Sequence, residues 1–334
     1  MKKIVCHEPK NMALITVDEE FEVANDEVLI AIKHIGICGT DIHAYGGNQP
    51  FFDYPRVLGH ELSGIAEEVG ENVQGIQKGD QVTVIPYVHC GSCTACRQGR
   101  TNCCTSMQVI GVHKDGGMAE YLKVPQENVF KVNDLSLEAA ATVEPLSIGA
   151  HAVRRADVQK EDTVLVIGAG PIGLGVARFT KLIGAKTILM DISEERLAFS
   201  QQWTEADATV KAGDNAVDEL LALNHQELPT IVIDATGNKQ SMEQAFTYVS
   251  HGGKLVYVGL VKDTISFSDP DFHSKELTLL GSRNATTEDF NHVIDCMAKG
   301  LIKEGYITNR IAFEEVPAFF AANDFRTNKT MISL

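Results

Sequence analysis

The chain has 334 residues, with 29 Lys plus Arg against 45 Asp plus Glu and a formal net charge of −16. Its 44% hydrophobic and 22% charged residues exclude a disordered chain, and its length predicts two domains of roughly 150 residues each. The acidic balance excludes a nucleic-acid binder and a protein held on anionic lipid, both of which need basic surfaces. No run approaches the roughly 18 apolar residues of a membrane span, and the start from Met1 to Glu8 lacks the apolar segment of a signal peptide. The expectation is a cytoplasmic protein with a small-molecule partner and neither nucleic acid nor membrane. Of the eight cysteines, Cys90, Cys93, Cys96, Cys103 and Cys104 cluster, while Cys6, Cys38 and Cys296 stand apart. In a long chain such clustering predicts metal binding rather than a disulfide framework.

Up to about Leu122 the sequence reads as short β-type runs. Val28–Ile32, Gly64–Val69 and Gln81–Ile85 are strand candidates, with turns at Gly70-Glu71-Asn72 and Gly79-Asp80 between them. This punctuation predicts a compact, partly open β-barrel. From Thr163 the texture changes. Val164–Ile167 is an apolar run without alternation, as in a strand buried on both faces of a parallel sheet. A glycine-rich turn, a helix through Lys181 and a second strand at Thr187–Met190 follow. Further strands are expected at Thr230–Ile233 and Lys254–Val258, and a helix around Phe290–Lys299. Strands alternating with helices predict a doubly wound α/β sheet.

Gly168-Ala169-Gly170-Pro171-Ile172-Gly173 fits G-x-G-x-x-G directly after the buried strand. The first glycine permits a tight turn, the second lets backbone approach a pyrophosphate, and the third allows close helix–strand packing. The following helix offers free N–H groups and a positive dipole end. Asp191, at the end of the next strand, is placed to accept hydrogen bonds from a ribose and to repel a 2′-phosphate. NAD is therefore expected over NADP, with Arg196 nearby as a mild counter-signal. The bland alternative, an ordinary strand–helix glycine turn, does not explain why strand, turn, helix, strand and acid occur in this order.

Cys90, Cys93 and Cys96 follow one another at C-x-x-C steps, and Cys104 comes shortly after. Four thiolates on a short loop can close a tetrahedral shell around a structural zinc. Cys103 is an alternative fourth ligand by spacing, and free or redox thiols are the competing reading. A second constellation comprises Cys38-Gly39-Thr40-Asp41-Ile42-His43, Gly59-His60-Glu61 and Val143-Glu144-Pro145. Taken singly, Cys38 reads as a small hydrophobe, His60 as a loop histidine and Glu144 as a solvated acid. Together, one thiolate, one imidazole and two carboxylates suit a zinc with an exchangeable position, with Asp41 placed to orient the imidazole of His60.

These motifs, with Gly79-Asp80-Gln81-Val82 between them, resemble in order the zinc-containing medium-chain alcohol and polyol dehydrogenases. Glu144-Pro145-Leu146-Ser147 is similar to the branch acting on sorbitol, threonine and sugar acids. Tyr45–Phe52, Gly111–Gly117 and Gly281–Thr286 are similar to bacterial hexonate 5-dehydrogenases. The resemblance implies a GroES-like β-barrel catalytic domain over 1–145 and 286–334, and a Rossmann NAD-binding domain over 146–285. It implies a catalytic zinc on Cys38 and His60, with Glu61 and Glu144 binding or exchanging, and a structural zinc on Cys90, Cys93, Cys96 and Cys104. Thr40 and His43 match the proton relay. Gly168, Gly170, Pro171, Ile172, Gly173, Asp191, Arg196, Val258, Gly259, Ser282 and Arg283 are the implied cofactor contacts.

The implied activity is hydride transfer from a secondary alcohol of a sugar acid (an L-galactonate-like hexonate) or a polyol to NAD. An acidic substrate needs a cation, and Arg56, His113, Lys114 and Arg283 are candidates. A homo-oligomer, dimer or tetramer, is expected through the sheet edge near Lys254–Leu260. Competing readings are a zinc-free reductase or structural relative, a non-catalytic metabolite sensor, and the same chemistry on a neutral polyol, L-threonine or a sugar phosphate. Cys6, Cys103 and Cys296 are expected to have no role beyond packing or free thiol.

Overall fold

A computed structural model describes every residue except Pro50, Phe51, Asp324, Arg326 and Thr327. Pro50 and Phe51, two positions of the Tyr45–Phe52 motif, thus lie outside the described residues. The chain forms two compact units. One comprises Met1–Glu144, Thr286–Gly300 and Tyr306–Leu334, the other Pro145–Ala285 and Leu301–Gly305.

The first unit is organised by the strand Glu27–Gly36, whose residues Val28 to Ile32 are all buried. Along one side it pairs with Glu61–Val69; along the other, its first half pairs with Tyr121–Pro125 and its last residues with Thr330–Ser333. Gln81–Val84 and Val129–Lys131 extend the sheet beyond Glu61–Val69, and Asn309–Ala312 closes the opposite flank. A three-stranded sheet of Asn11–Thr16, Lys2–Glu8 and Arg56–Val57 lies beside it in the same core, which gathers Ile4, Ile30, Ile35, Leu58, Leu62, Met118 and Phe320. The chain end therefore completes a barrel begun near the chain start. Met331 opposes Gly36 and Ile332 opposes Ile35, which sets Lys329 next to the Ile37-Cys38 turn.

The second unit holds six parallel strands in the order Ala208–Lys211, Lys186–Asp191, Thr163–Ile167, Ile231–Asp234, Lys254–Tyr257 and Thr278–Gly281. Every residue of Thr163–Ile167 is buried, as its unbroken apolar run requires of a central strand. Strand order reverses beside it, so the turn leaving it opens at the switch point where such sheets bind ligands. Leu301–Gly305 joins this unit through side-chain clamps. The Arg178 guanidinium donates to the Leu301 carbonyl at 2.7 and 3.0 Å, and Trp203 Nε1 donates to the Lys303 and Glu304 carbonyls at 3.2 and 3.1 Å. Among the described residues, no helix is long and apolar enough to cross a membrane.

Candidate metal centres and dinucleotide turn

Ligand atoms of Cys38, His60 and Glu61 lie within 4.8 Å of one another. The strand pairing explains the meeting. Cys38 follows Glu27–Gly36, His60 immediately precedes the neighbouring strand that Glu61 opens, and Gly36 pairs with Glu61. Gly36 is required by this approach, because a Cβ there would fall 1.9 Å from Glu61 Oε2. Asp41 ties the two ligand loops together. Its carboxylate accepts from Cys38 N at 2.9 Å and from Gly59 N at 3.1 Å. Its Oδ1 stands 3.8 Å from His60 Nδ1, so it faces the imidazole without a direct hydrogen bond.

The donor atoms fit a metal ion. Glu61 Oε1 is buried without a hydrogen-bond partner, a costly state for a polar atom unless something else engages it. Thiolate, imidazole and carboxylate are zinc's ligand types, and bonds of about 2.0–2.3 Å to a shared ion span such separations. Burial disfavours a charged His60, yet the nearby Cys38, Asp41 and Glu144 outweigh it and raise its pKa well above the ordinary value. The field of the site thus favours positive charge.

Three neighbours escape the sequence reading. The buried ammonium of Lys329 forms an ion pair with Glu61 and donates to the Ile37 carbonyl at 3.1 Å. Burial works against that ammonium, but Glu61 and Cys38 hold its pKa above the usual lysine value. Tyr87 donates its hydroxyl to Glu144 Oε1, and both residues are buried. Tyr306 is buried close enough to Glu61, Cys38 and Glu144 for their charges to add to burial in raising its pKa. Glu144, in the first turn of the helix Val143–Ala156, stands outside the three-residue set. Burial raises its carboxyl to about 7, with Glu61 adding to the shift and His60 opposing it.

The second group unites Cys90, Cys93, Cys96 and Cys104, whose sulfurs also lie within 4.8 Å of one another. Cys103 is exposed and stands outside it. Backbone N–H groups converge on the sulfurs, from Cys90 to Cys104 Sγ at 3.3 Å, from Cys93 to Cys90 Sγ at 3.4 Å, and from Cys96 to Cys93 Sγ at 3.5 Å. Donors of this kind favour thiolates. The Cys96 and Thr105 backbone donors pull Cys93 down to about 5, and those of Ser92 and Cys93 help bring Cys90 to about 7. Four sulfurs with no open position suit a structural ion.

In the second unit, Gly168 turns the chain at φ 98° after Thr163–Ile167, and Gly170 caps the helix Pro171–Ile183 with Pro171 at its start. A Cβ at Gly173 would fall 1.8 Å from the Gly168 carbonyl oxygen, whereas one at Gly170 would meet nothing within 4 Å. Gly173 is thus needed by the fold and Gly170 leaves a bare cradle at a helix N-terminus. Asp191 ends its strand with Oδ2 accepting from Ala169 N at 2.7 Å and Oδ1 from Ser193 N at 2.8 Å. Arg196 sits in the first turn of the next helix, its N–H capped by Ser193. Val258 and Gly259 follow Lys254–Tyr257, and Gly259 packs against Gly237. Ser282, just after Thr278–Gly281, is buried with an unpartnered hydroxyl, next to exposed Arg283.

Thr40 and His43 lie on the helix Gly39–Tyr45, one half-buried and the other exposed. Of the candidate cations, Arg56 leans on Asp115 at 3.4 Å and His113 Nδ1 accepts from Val109 N at 3.0 Å. Exposed Lys114 lines a surface groove of about 570 Å³ with Lys3, Tyr121 and Lys123, which contains none of the metal-set residues.

Residues 24–134 match the alcohol dehydrogenase GroES-like domain family, and residues 171–299 match the zinc-binding dehydrogenase family. The chain belongs to the zinc-binding alcohol dehydrogenases, enzymes that use zinc and a nicotinamide dinucleotide. It is 47% identical over 315 residues to the L-galactonate-5-dehydrogenase of Escherichia coli (strain K12), covering 94% of this chain and 92% of that one. It is 32% identical to the sorbitol dehydrogenase of Bacillus subtilis (strain 168), covering 94% and 91% of the two chains. Among solved structures, the alcohol dehydrogenase rspB of E. coli CFT073, complexed with NADH, superposes with TM-score 0.92 at 33% identity, covering 100% of this chain and 99% of that one. The galactitol-1-phosphate dehydrogenase of E. coli superposes with TM-score 0.93 at 27% identity, covering both chains in full at 100%.

Proposed function

We propose that the protein oxidises a secondary hydroxyl of a sugar acid, an L-galactonate-like hexonate, with NAD as hydride acceptor. The observation that carries this reading is the Cys38–His60–Glu61 set, found in a chain 47% identical to an L-galactonate-5-dehydrogenase. Cys38, His60 and Glu61 would hold the catalytic zinc, with Glu144 beside them, and Cys90, Cys93, Cys96 and Cys104 the structural one. When bound, zinc supplies Lewis acidity toward the reacting hydroxyl, and NAD supplies the acceptor carbon.

The chain's own residues bind, orient and move a proton. Thr40 and His43 stand three residues apart on one helix face, so a proton passes from the half-buried hydroxyl toward the exposed imidazole and solvent. Lys329 offsets the charge of Glu61, and Asp41 fixes the backbone carrying Cys38 and His60. In the domain 146–285, the N–H groups after Gly170 would receive the pyrophosphate. Asp191 would receive the ribose, Val258 and Gly259 the strand-end contacts, and Ser282 and Arg283 further polar contacts. Asp191 favours NAD over NADP. The catalytic domain would comprise 1–145 and 286–334 apart from Leu301–Gly305, which pack in the second unit, and the protein would act in the cytoplasm as a dimer or tetramer. Lys254–Tyr257 is an inner strand, so a sheet-edge interface would use Thr278–Gly281 instead.

A neutral polyol is the second reading, supported by the 32% identity to a sorbitol dehydrogenase. NADH formation measured with L-galactonate, L-gulonate, L-idonate, sorbitol, galactitol and L-threonine separates the two. A strong preference for a hexonate is expected, and a preference for sorbitol or galactitol overturns the sugar-acid assignment.

A further inference from the structure

Two buried carboxylates stand at the metal set, and the fold treats them differently. Glu61 belongs to the set and has one oxygen paired with the ammonium of Lys329 and the other without a partner. Glu144 stands outside the set, and its carboxylate Oε1 accepts from the Tyr87 hydroxyl. An ion pair constrains direction weakly, whereas a hydroxyl bonded to a buried carboxylate fixes where an oxygen points. Tyr87 is itself pinned. Its strand Tyr87–Val88 pairs with Gln108–Val109, Tyr87 opposing Val109, and the ring is 6% exposed.

We infer that Tyr87 is a positioning residue for Glu144: its hydroxyl holds the carboxylate apart from Cys38, His60 and Glu61, so that Glu144 reaches the metal only when this hydrogen bond is released. Tyr87 thereby leaves a position of the metal to substrate rather than to a second protein carboxylate. This inference rests on the reading that Cys38, His60 and Glu61 hold the ion.

The test uses the whole enzyme with Co²⁺ at the catalytic site. Visible absorption reports the ligand set, and transfer of cobalt to a chelator reports how firmly it is held. Tyr87→Phe keeps the ring and removes the hydroxyl. The hydrogen bond no longer competes for Glu144, so the d–d bands shift and cobalt loss slows roughly tenfold, the worth of one hydrogen bond to a charged group. In Tyr87→Phe combined with Glu144→Gln, both changes vanish, because they act through the carboxylate. Wild-type bands and release in Y87F overturn the inference, as do changes that persist in the double variant. Should Y87F fail to fold, Glu144→Gln alone decides. Release at the wild-type rate is expected of a carboxylate outside the set, and tenfold faster release shows a resident ligand and overturns the inference. If the wild type takes up no cobalt beyond the four-cysteine lobe, the metal-site reading fails and the inference falls with it.

Discussion

The ammonium of Lys329 is paired with the carboxylate of Glu61, and both are closed off from solvent, at 2% and 1% side-chain exposure. Removing one partner of a buried pair leaves the other charge unpaired, at a cost of about 3–5 kcal/mol. Lys329→Met should therefore lower the stability of metal-stripped protein by about 3 kcal/mol, with a smaller loss once zinc is present to neutralise Glu61. Scanning calorimetry of stripped and zinc-loaded protein reads both. An equal loss of Tm in the two forms contradicts the role given to this pair.

The two glycines of the dinucleotide turn make opposite predictions. Gly173→Ala drives a Cβ into the Gly168 carbonyl oxygen and should destabilise the unit. Gly170→Ala meets open space in the protein and should leave the melting temperature near wild type. It fills the cradle, however, and should weaken NADH binding by roughly tenfold or more. Fluorescence titration with NADH beside a thermal melt distinguishes them, and undiminished binding by G170A argues against pyrophosphate at this turn.

The four-cysteine lobe surrounds a short helix, Thr94–Arg97, with no buried residues of its own. Metal should therefore hold it together. Cys93→Ser is expected to lower the zinc content by one ion per chain and to open the lobe to trypsin at exposed Arg97 and Arg100. Elemental analysis and limited proteolysis check this, and a lobe as resistant as wild type after losing its ion contradicts it.

How much of this could be read along the chain depends on the range of the interactions. The buried run Val164–Ile167, the glycine turn and the C-x-x-C steps are local, so their elements and chemistry were legible within a few residues. Cys38 and His60-Glu61 were legible as ligand types, and their meeting follows from adjacent strands. Lys329 was not legible. It lies in a polar Asn-Lys-Thr stretch and reaches the site only because Thr330–Ser333 pairs with Glu27–Gly36 across nearly the whole chain. Tyr87 depends on a two-residue ladder with Gln108–Val109, too short to leave a periodic signal. The orientation of Glu144 follows from Tyr87 and was hidden for the same reason.

Glu205 supplies a pH-dependent contribution in the second unit. Hydrogen bonds from Lys303 and Arg178, at 2.8 and 2.5 Å, bring its carboxyl down to about 2 from the ordinary 4.5. A carboxyl depressed on folding stabilises above its unfolded value, and that stability is lost as pH falls through the folded one. The stability gap between wild type and Glu205→Gln should be fully open at pH 6 and narrow between about 4.5 and 2. Because the side chain is half exposed, the gap should also shrink in salt. Urea unfolding at pH 6 and pH 3 measures it, and a gap that does not narrow contradicts the assignment.

The central claim is that Cys38, His60 and Glu61 hold the zinc on which hydride transfer to NAD depends. His60→Ala tests it most directly, by zinc content, turnover with a hexonate and NAD, and NADH binding measured on one preparation. The account predicts loss of one of two zinc ions and of turnover, with NADH binding retained. Wild-type turnover in that variant would contradict it.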